Sequence, residues 1–284
     1  MADILEGFKL NMNGVIAGML VAGICSYIGV YVVLKRIVFV GASLAQISSA
    51  GVALAFMLGL SIPFFRNHPL AVSLLVTLVG SFIFSQHGLS RKVPQESIIG
   101  IGYLIASAMT LVFIVKSPKG MDDVKELLDG NIITVTRGDL LVMASVFGVV
   151  ALMHLIFYRQ FLYTSFDPEM ARTQGFQTRR WELLFYLTLG LTISFAIQYA
   201  GLLSVFAYLV IPAVAGLLAS RRMFTAFFVA ILCALFSTLT GFALALKIDD
   251  LPTSPPIIMV MALLLIPAWL IGKLLQYRTD ITSA

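Results

Sequence analysis

Apolar stretches of about 18 to 24 residues, separated by short polar links, follow one another along nearly the whole chain. They predict membrane-crossing helices at about 12–34, 42–60, 69–86, 95–115, 139–158, 181–198, 201–219, 223–246 and 256–275. Strands of a membrane barrel would be about half as long and would alternate apolar with polar at every second residue, which these stretches do not. The expected fold class is therefore all-α, a polytopic transmembrane helical bundle. Gln198 to Gly201 is so short a link that the sixth and seventh stretches form either a tight hairpin or one broken unit, which leaves eight or nine spans. No linker is long enough to divide the chain, so residues 1–284 read as one membrane domain.

Composition supports this reading: 60% of the residues are hydrophobic and 12% charged, and the mean hydropathy is +0.99, far from soluble globular usage. The segment Met1 to Lys9 carries Asp3, Glu6 and Lys9 and lacks the basic start of a cleaved signal, so the first span is expected to insert and remain. Lys and Arg fall unevenly between the two sets of links. Lys35, Arg36, Arg159, Arg172, Arg179, Arg180, Arg221 and Arg222 belong to a group of twelve on one side, against seven on the other. That bias places the larger group in the cytoplasm, the N-terminus outside and the C-terminus inside. The net charge of +5 is spread over these links and reads as membrane topology, with no nucleic-acid partner expected. Cys25 and Cys233 lie in apolar runs and imply no redox role.

Two polar segments stand out. On the outer side, Met121 to Gly130 has Val124, Leu127 and Leu128 at helical spacing and reads as a short interfacial helix, while Asp249 to Pro256 reads as a rigid loop. On the cytoplasmic side, Tyr163 to Gly175 is a polar island. Asp167 suits an N-cap, Pro168 the first helical position, Glu169 the positive end of the helix dipole, and Gly175 a left-handed stop. These signals frame about two turns of helix within residues 164–176. So short a helix is marginal alone and needs a protein surface. It is either a capped loop helix lying on the membrane domain or a coupling helix docking into a cytoplasmic motor.

The run Tyr158 to Gly175, with Phe166-Asp167-Pro168-Glu169 at its centre, resembles the cytoplasmic segment of permeases from zinc and manganese ABC importers. Further matches follow in the same order: Gly29 to Arg36 with Gly41 to Phe56, Ser97 to Tyr103, Leu127 to Ile133, Gly201 to Ala213, and Pro252 to Pro255. The resemblance covers about residues 12–275. It implies a permease of the bacterial cytoplasmic (inner) membrane that pairs with a second copy of itself, with a cytoplasmic ABC ATPase and with an extracytoplasmic substrate-binding protein. It also implies that Ser165, Phe166, Asp167, Pro168, Glu169, Arg172 and Gly175 form the contact with the ATPase. No Gly-x-x-x-x-Gly-Lys-Ser/Thr phosphate loop occurs in the chain. ATP and Mg are therefore expected on the partner subunit, with no cofactor bound here and no enzymatic activity of this chain's own.

Members of that family carry an Asp and a His one helical turn apart near the start of the second span; here those positions are Ala42 and Gln46. No metal ligand is thus assigned. Ser43, Gln46, Ser48 and Ser49 still make the second span polar, and they are candidates either for lining the substrate pathway or for hydrogen bonding between helices. His154 reads as an interfacial residue near a helix end, His68 and His87 as loop residues, and Asp249 and Asp250 as a solvated acidic loop. Gln198 and Tyr199, at the outer hairpin, either help gate the path or anchor the interface. The expected function is the permease of an ATP-driven importer for a divalent metal such as zinc or manganese. The alternatives are an ABC permease for a non-metal or chelated substrate, and a secondary transporter, which the lack of an acidic residue inside a confident span disfavours.

Overall fold

A computed structural model of the chain describes residues 11–86, 93–116, 135–247 and 252–283. Its helices are α1 (Met12–Leu34), α2 (Val38–Leu58), α3 (Pro63–Asn67), α4 (Pro69–Ser85), α5 (Gln95–Val115), α6 (Arg137–Ile156), α7 (Tyr158–Phe166), α8 (Pro168–Thr173), α9 (Thr178–Leu218), α10 (Met223–Ala245) and α11 (Ser254–Ser283). No strand occurs among the described residues. Seven of the helices are long and apolar enough to cross a membrane, and α4 is a shorter apolar helix of 17 residues. The expected helical bundle is the observed one.

Local chemistry sets the helix ends. Pro63 and Pro69 open α3 and α4 at the first-turn positions that need no amide donor. Thr136 caps α6 in a reciprocal box with Asp139: the Asp139 amide donates to Thr136 Oγ1 at 3.2 Å and the Thr136 amide to Asp139 Oδ2 at 3.0 Å. The expected interfacial helix at 121–130, His87, and Asp249 and Asp250 lie outside the described residues.

At 41 residues α9 would be about 60 Å long if straight, twice the hydrocarbon thickness. It is not straight. Gly201 has φ 75° and ψ 162°, a conformation open essentially to glycine alone. The contacts on α1 reveal the outcome. Lys35, just past the end of α1, approaches Glu182 of the first half of α9, and Gly29 packs on the backbone carbonyl of Leu209 in the second half. Six residues of helix separate Gly29 from Lys35, about 9 Å, whereas 27 residues of straight helix would put Glu182 and Leu209 about 40 Å apart. The chain therefore folds back at Gly201, and α9 supplies two crossing segments. With α4 included there are nine segments among the described residues, so the broken-unit and hairpin readings of Gln198–Gly201 describe one feature.

The core is built around α1, which has the largest buried share of any span. Both halves of α9, together with α10 and α6, surround it, and α2 packs between α4, α5 and α9. Tyr31, Tyr186 and Tyr208 are among the largest fully buried side chains. Their hydroxyls are used: Tyr31 with Tyr27 at 3.2 Å, Tyr186 accepting from Gln95 Nε2 at 2.6 Å, and Tyr208 with Thr238 at 2.7 Å. The Tyr186 and Tyr208 bonds tie α9 to α5 and α10, and the Tyr27–Tyr31 bond satisfies a buried hydroxyl within α1.

Candidate functional site

The polar island folds into a hairpin of two short helices. The expected segment 164–176 is divided at Asp167: residues 164–166 finish α7, and Asp167 begins α8. Asp167 Oδ1 accepts from the amides of Glu169 and Met170, both at 3.0 Å, and Pro168 occupies the first turn. At the other end Gly175 has φ +86°; its amide donates to the Arg172 carbonyl and the Phe176 amide to the Ala171 carbonyl, at 3.0 and 3.1 Å. That pair of bonds is a Schellman stop. Arg172 Nε donates to Thr178 Oγ1 at 2.9 Å and so ties α8 to the start of α9. The result is a rigid knob whose caps satisfy the backbone groups that a two-turn helix leaves open.

Its surface divides cleanly. Phe166, Asp167, Pro168, Glu169, Arg172 and Gly175 are exposed, and so is Met170, at 58%, which the sequence reading passed over. Ser165 departs from the rest of the set: it is buried, and its hydroxyl donates to the Phe161 carbonyl at 2.6 Å. It closes the last turn of α7 rather than offering a contact.

Beneath the knob lies a joint that sequence reasoning did not anticipate. The Lys35 side chain is only 6% exposed. Its Nζ donates to the Thr164 carbonyl at 3.2 Å, lies 3.9 Å from Glu182 Oε1, and sits 5.3 Å from the centre of the Phe185 ring. Thr164 is in the last turn of α7, where carbonyls lack helical partners and a cation is favoured. One ammonium thus links α1, α7 and α9. Burial pulls the Lys35 pKa below its ordinary 10.5, and Glu182 opposes that shift.

His154 belongs to the same joint, which corrects its reading as an interfacial residue. It is fully buried, with Nε2 3.0 Å from Thr188 Oγ1 and its ring stacked on Phe161 of α7 at 4.2 Å and 9°. Tyr27, Tyr31 and Phe185 close round it edge-on or tilted. The signal in the sequence was weak, because the partners of His154 come from three other helices, α1, α7 and α9, and only folding brings them together.

The candidate pathway residues of α2 divide into two groups. Ser43 Oγ donates to the Ile99 carbonyl of α5 at 3.0 Å, and Ser48 Oγ lies 2.7 Å from Ser73 Oγ of α4. These two serines hold helices together. Ala42 and Gln46, one turn apart, are only partly buried, and Ser49 on the same face is buried with its hydroxyl lacking a partner. Of the four candidates, Gln46 alone is not fully buried, and it shares one face of α2 with Ala42 and Ser49. Among the described residues, no three of His, Cys, Asp and Glu gather as metal ligands. His68 is exposed beside the Phe64 ring, Gln198 is exposed, and Tyr199 is buried at the turn of α9.

Comparison with known proteins places this geometry. Residues 8–272 match the model of the ABC 3 transport family. The chain is 28% identical over 92% of its length to the manganese transport system membrane protein MntC of Halalkalibacterium halodurans, covering 87% of that protein. It is 26% identical over 78% of its length to the manganese import system permease protein ScaB of Streptococcus gordonii, covering 77% of that relative. Its fold superposes on the structure of PsaBC from Streptococcus pneumoniae in complex with Fab with a TM-score of 0.81, at 21% identity, over 94% of this chain and 95% of the other. With the family model matched over nearly its whole length, and a helical membrane bundle of the same architecture, the chain belongs to the ABC 3 transport family.

Proposed function

We propose that this protein is the membrane permease of an ATP-driven importer for a divalent metal ion such as manganese or zinc. It would work as a homodimer, with ATP and Mg handled by a separate cytoplasmic ATPase and cargo delivered by an extracytoplasmic binding protein. The observation that carries the reading is the capped, exposed helix α8, held against the bundle by Arg172 and, through α7, by Lys35. A rigid knob on a buried joint is what a motor needs in order to move spans rather than bend a loop. Closure of the ATPase dimer would displace α8, and Lys35 would carry that displacement into α1 and α9 as the halves alternate between outward and inward opening. The Lys and Arg bias supports a cytoplasmic position for this end in the bacterial inner membrane, with the N-terminus outside and the C-terminus inside.

The metal assignment leans on the manganese transport named for the relatives. A second reading, a chelated or uncharged cargo, is favoured by one observation: Ala42 and Gln46 supply neither carboxylate nor imidazole. Neutral amide and hydroxyl oxygens bind a bare transition metal weakly. Vesicles containing the permease and its ATPase, supplied with loaded binding protein, separate the two. ATP-dependent accumulation of free manganese or zinc supports the first reading, accumulation only of a chelate supports the second, and failure of the loaded binding protein to stimulate ATP hydrolysis overturns both.

A further inference from the structure

Helices α1, α6 and α10 do not close on one another. Between them lies an open-sided cavity of about 920 Å³, walled by Ile16 to Tyr27 of α1, Ala144 to Leu155 of α6 and Phe224 to Leu235 of α10, with Tyr158 of α7 at one end. Two of its wall residues are glycines, Gly23 and Gly148, and a Cβ at either would meet nothing within 4 Å. Small residues in membrane helices ordinarily let neighbours approach closely, as Gly51 does against the backbone of Ser73 and Gly241 against that of Ile257. Gly23 and Gly148 do the opposite and keep a gap wide.

The gap has the length of one leaflet. Each wall runs twelve residues, about 16 Å of helix from first to last, against about 30 Å for the whole hydrocarbon core. A spanning helix from a partner would need the full thickness, whereas a single acyl chain needs half. The cavity is also polar at one end only. Tyr27 and Tyr158 are the only wall residues with a polar side-chain group, and both stand at the end beside the α7–α8 hairpin, where Arg159, next to Tyr158, and Arg222, two residues before Phe224, are exposed. The remaining wall is apolar.

We propose that this cavity is a binding site for an anionic phospholipid of the leaflet at the hairpin end. One acyl chain lies between α1, α6 and α10, and the headgroup phosphate lies against Arg159 and Arg222. Guanidinium groups suit phosphate because their paired N–H donors match its oxygens, and cationic pockets between helices at the cytoplasmic face favour anionic headgroups. Apolar lining secures the chain, and the two arginines discriminate between headgroups.

The test is native mass spectrometry of the full-length chain in mild detergent, offered equal amounts of phosphatidylglycerol and phosphatidylcholine with identical acyl chains. Wild type should retain phosphatidylglycerol about tenfold over phosphatidylcholine, the scale of one charge-assisted contact. Arg159→Ala with Arg222→Ala should equalise the two lipids while a lipid is still retained. Gly23→Leu with Gly148→Leu, which fill open space, should lose that lipid altogether. Should the glycine variants fail to fold, Phe228→Trp places a reporter in the wall, and acyl chains brominated near their ends should quench it. Equal lipid retention in wild type and folded glycine variants, no quenching at position 228, or a bound polypeptide in place of the lipid would overturn the assignment.

Discussion

The ammonium of Lys35 donates to the carbonyl of Thr164 at 3.2 Å, which joins the end of the most buried span to the last turn of the helix that precedes the exposed knob. With Glu182 at 3.9 Å, this is the one point at which α1, α7 and α9 share a single polar group among the described contacts. A hydrogen bond to a charged group contributes about 1.5–3 kcal/mol.

Lys35→Met should therefore lower the thermal midpoint and abolish stimulation of the partner ATPase, while Lys35→Arg should keep both close to wild type. The burial shift adds a pH signature. The Lys35 pKa is lowered in the folded chain, so between that value and 10.5 the unfolded chain binds more protons, and stability rises with pH. Thermal midpoints of wild type should gain on those of Lys35→Arg, which does not titrate there, as pH rises through the alkaline range. A constant difference would show that Lys35 is not buried as described.

Asp167→Ala removes the acceptor for two amides at the start of α8 and should cost that helix about 0.5–2 kcal/mol. Hydrogen exchange at Glu169 and Met170 should accelerate severalfold while the spans keep their protection. Adding Glu169→Ala should uncouple ATP hydrolysis from transport in the assembled complex. Wild-type transport by the double variant would remove α8 from the drive.

Gly201→Ala places a side chain where φ is 75° and ψ 162°, a conformation that costs other residues about 1–3 kcal/mol. The variant should melt at lower temperature and lose the approach of Gly29 to Leu209, since both depend on the fold-back. An unchanged midpoint would mean that the reversal tolerates a side chain.

Restoring the family's pair as Ala42→Asp with Gln46→His sets a carboxylate and an imidazole one turn apart on the partly buried face of α2. Manganese or zinc retained by the purified chain should rise by an order of magnitude or more. Unchanged retention would show that this face does not line the path.

What could be read from the sequence was what depends on local pattern. Spans follow from runs of apolar residues, and α8 was legible because Asp167, Pro168 and Gly175 act within a few residues of one another. Gly201 marked the turn of α9 for the same reason. The joint of Lys35 and His154 was not legible because each sits near the end of an apolar run, where charge and polarity ordinarily mean interface. Lys35 meets Thr164 of α7 from 129 residues away in sequence, and His154 meets Thr188 of α9 from 34. The serines of α2 show the same limit. The run Ser43, Ser48 and Ser49 announces a polar helix, yet only the neighbours Ile99 and Ser73 decide which hydroxyls are already engaged.

The most direct measurement is photo-crosslinking from position 170 in the assembled transporter, with Met170 replaced by a photoreactive residue and Met259, exposed on the apolar α11, as the control position. Position 170 should crosslink to the ATPase subunit with a yield that changes on ATP binding, and position 259 should not. No crosslink from 170, or equal crosslinks from both positions, would contradict the role of α8 as the motor contact.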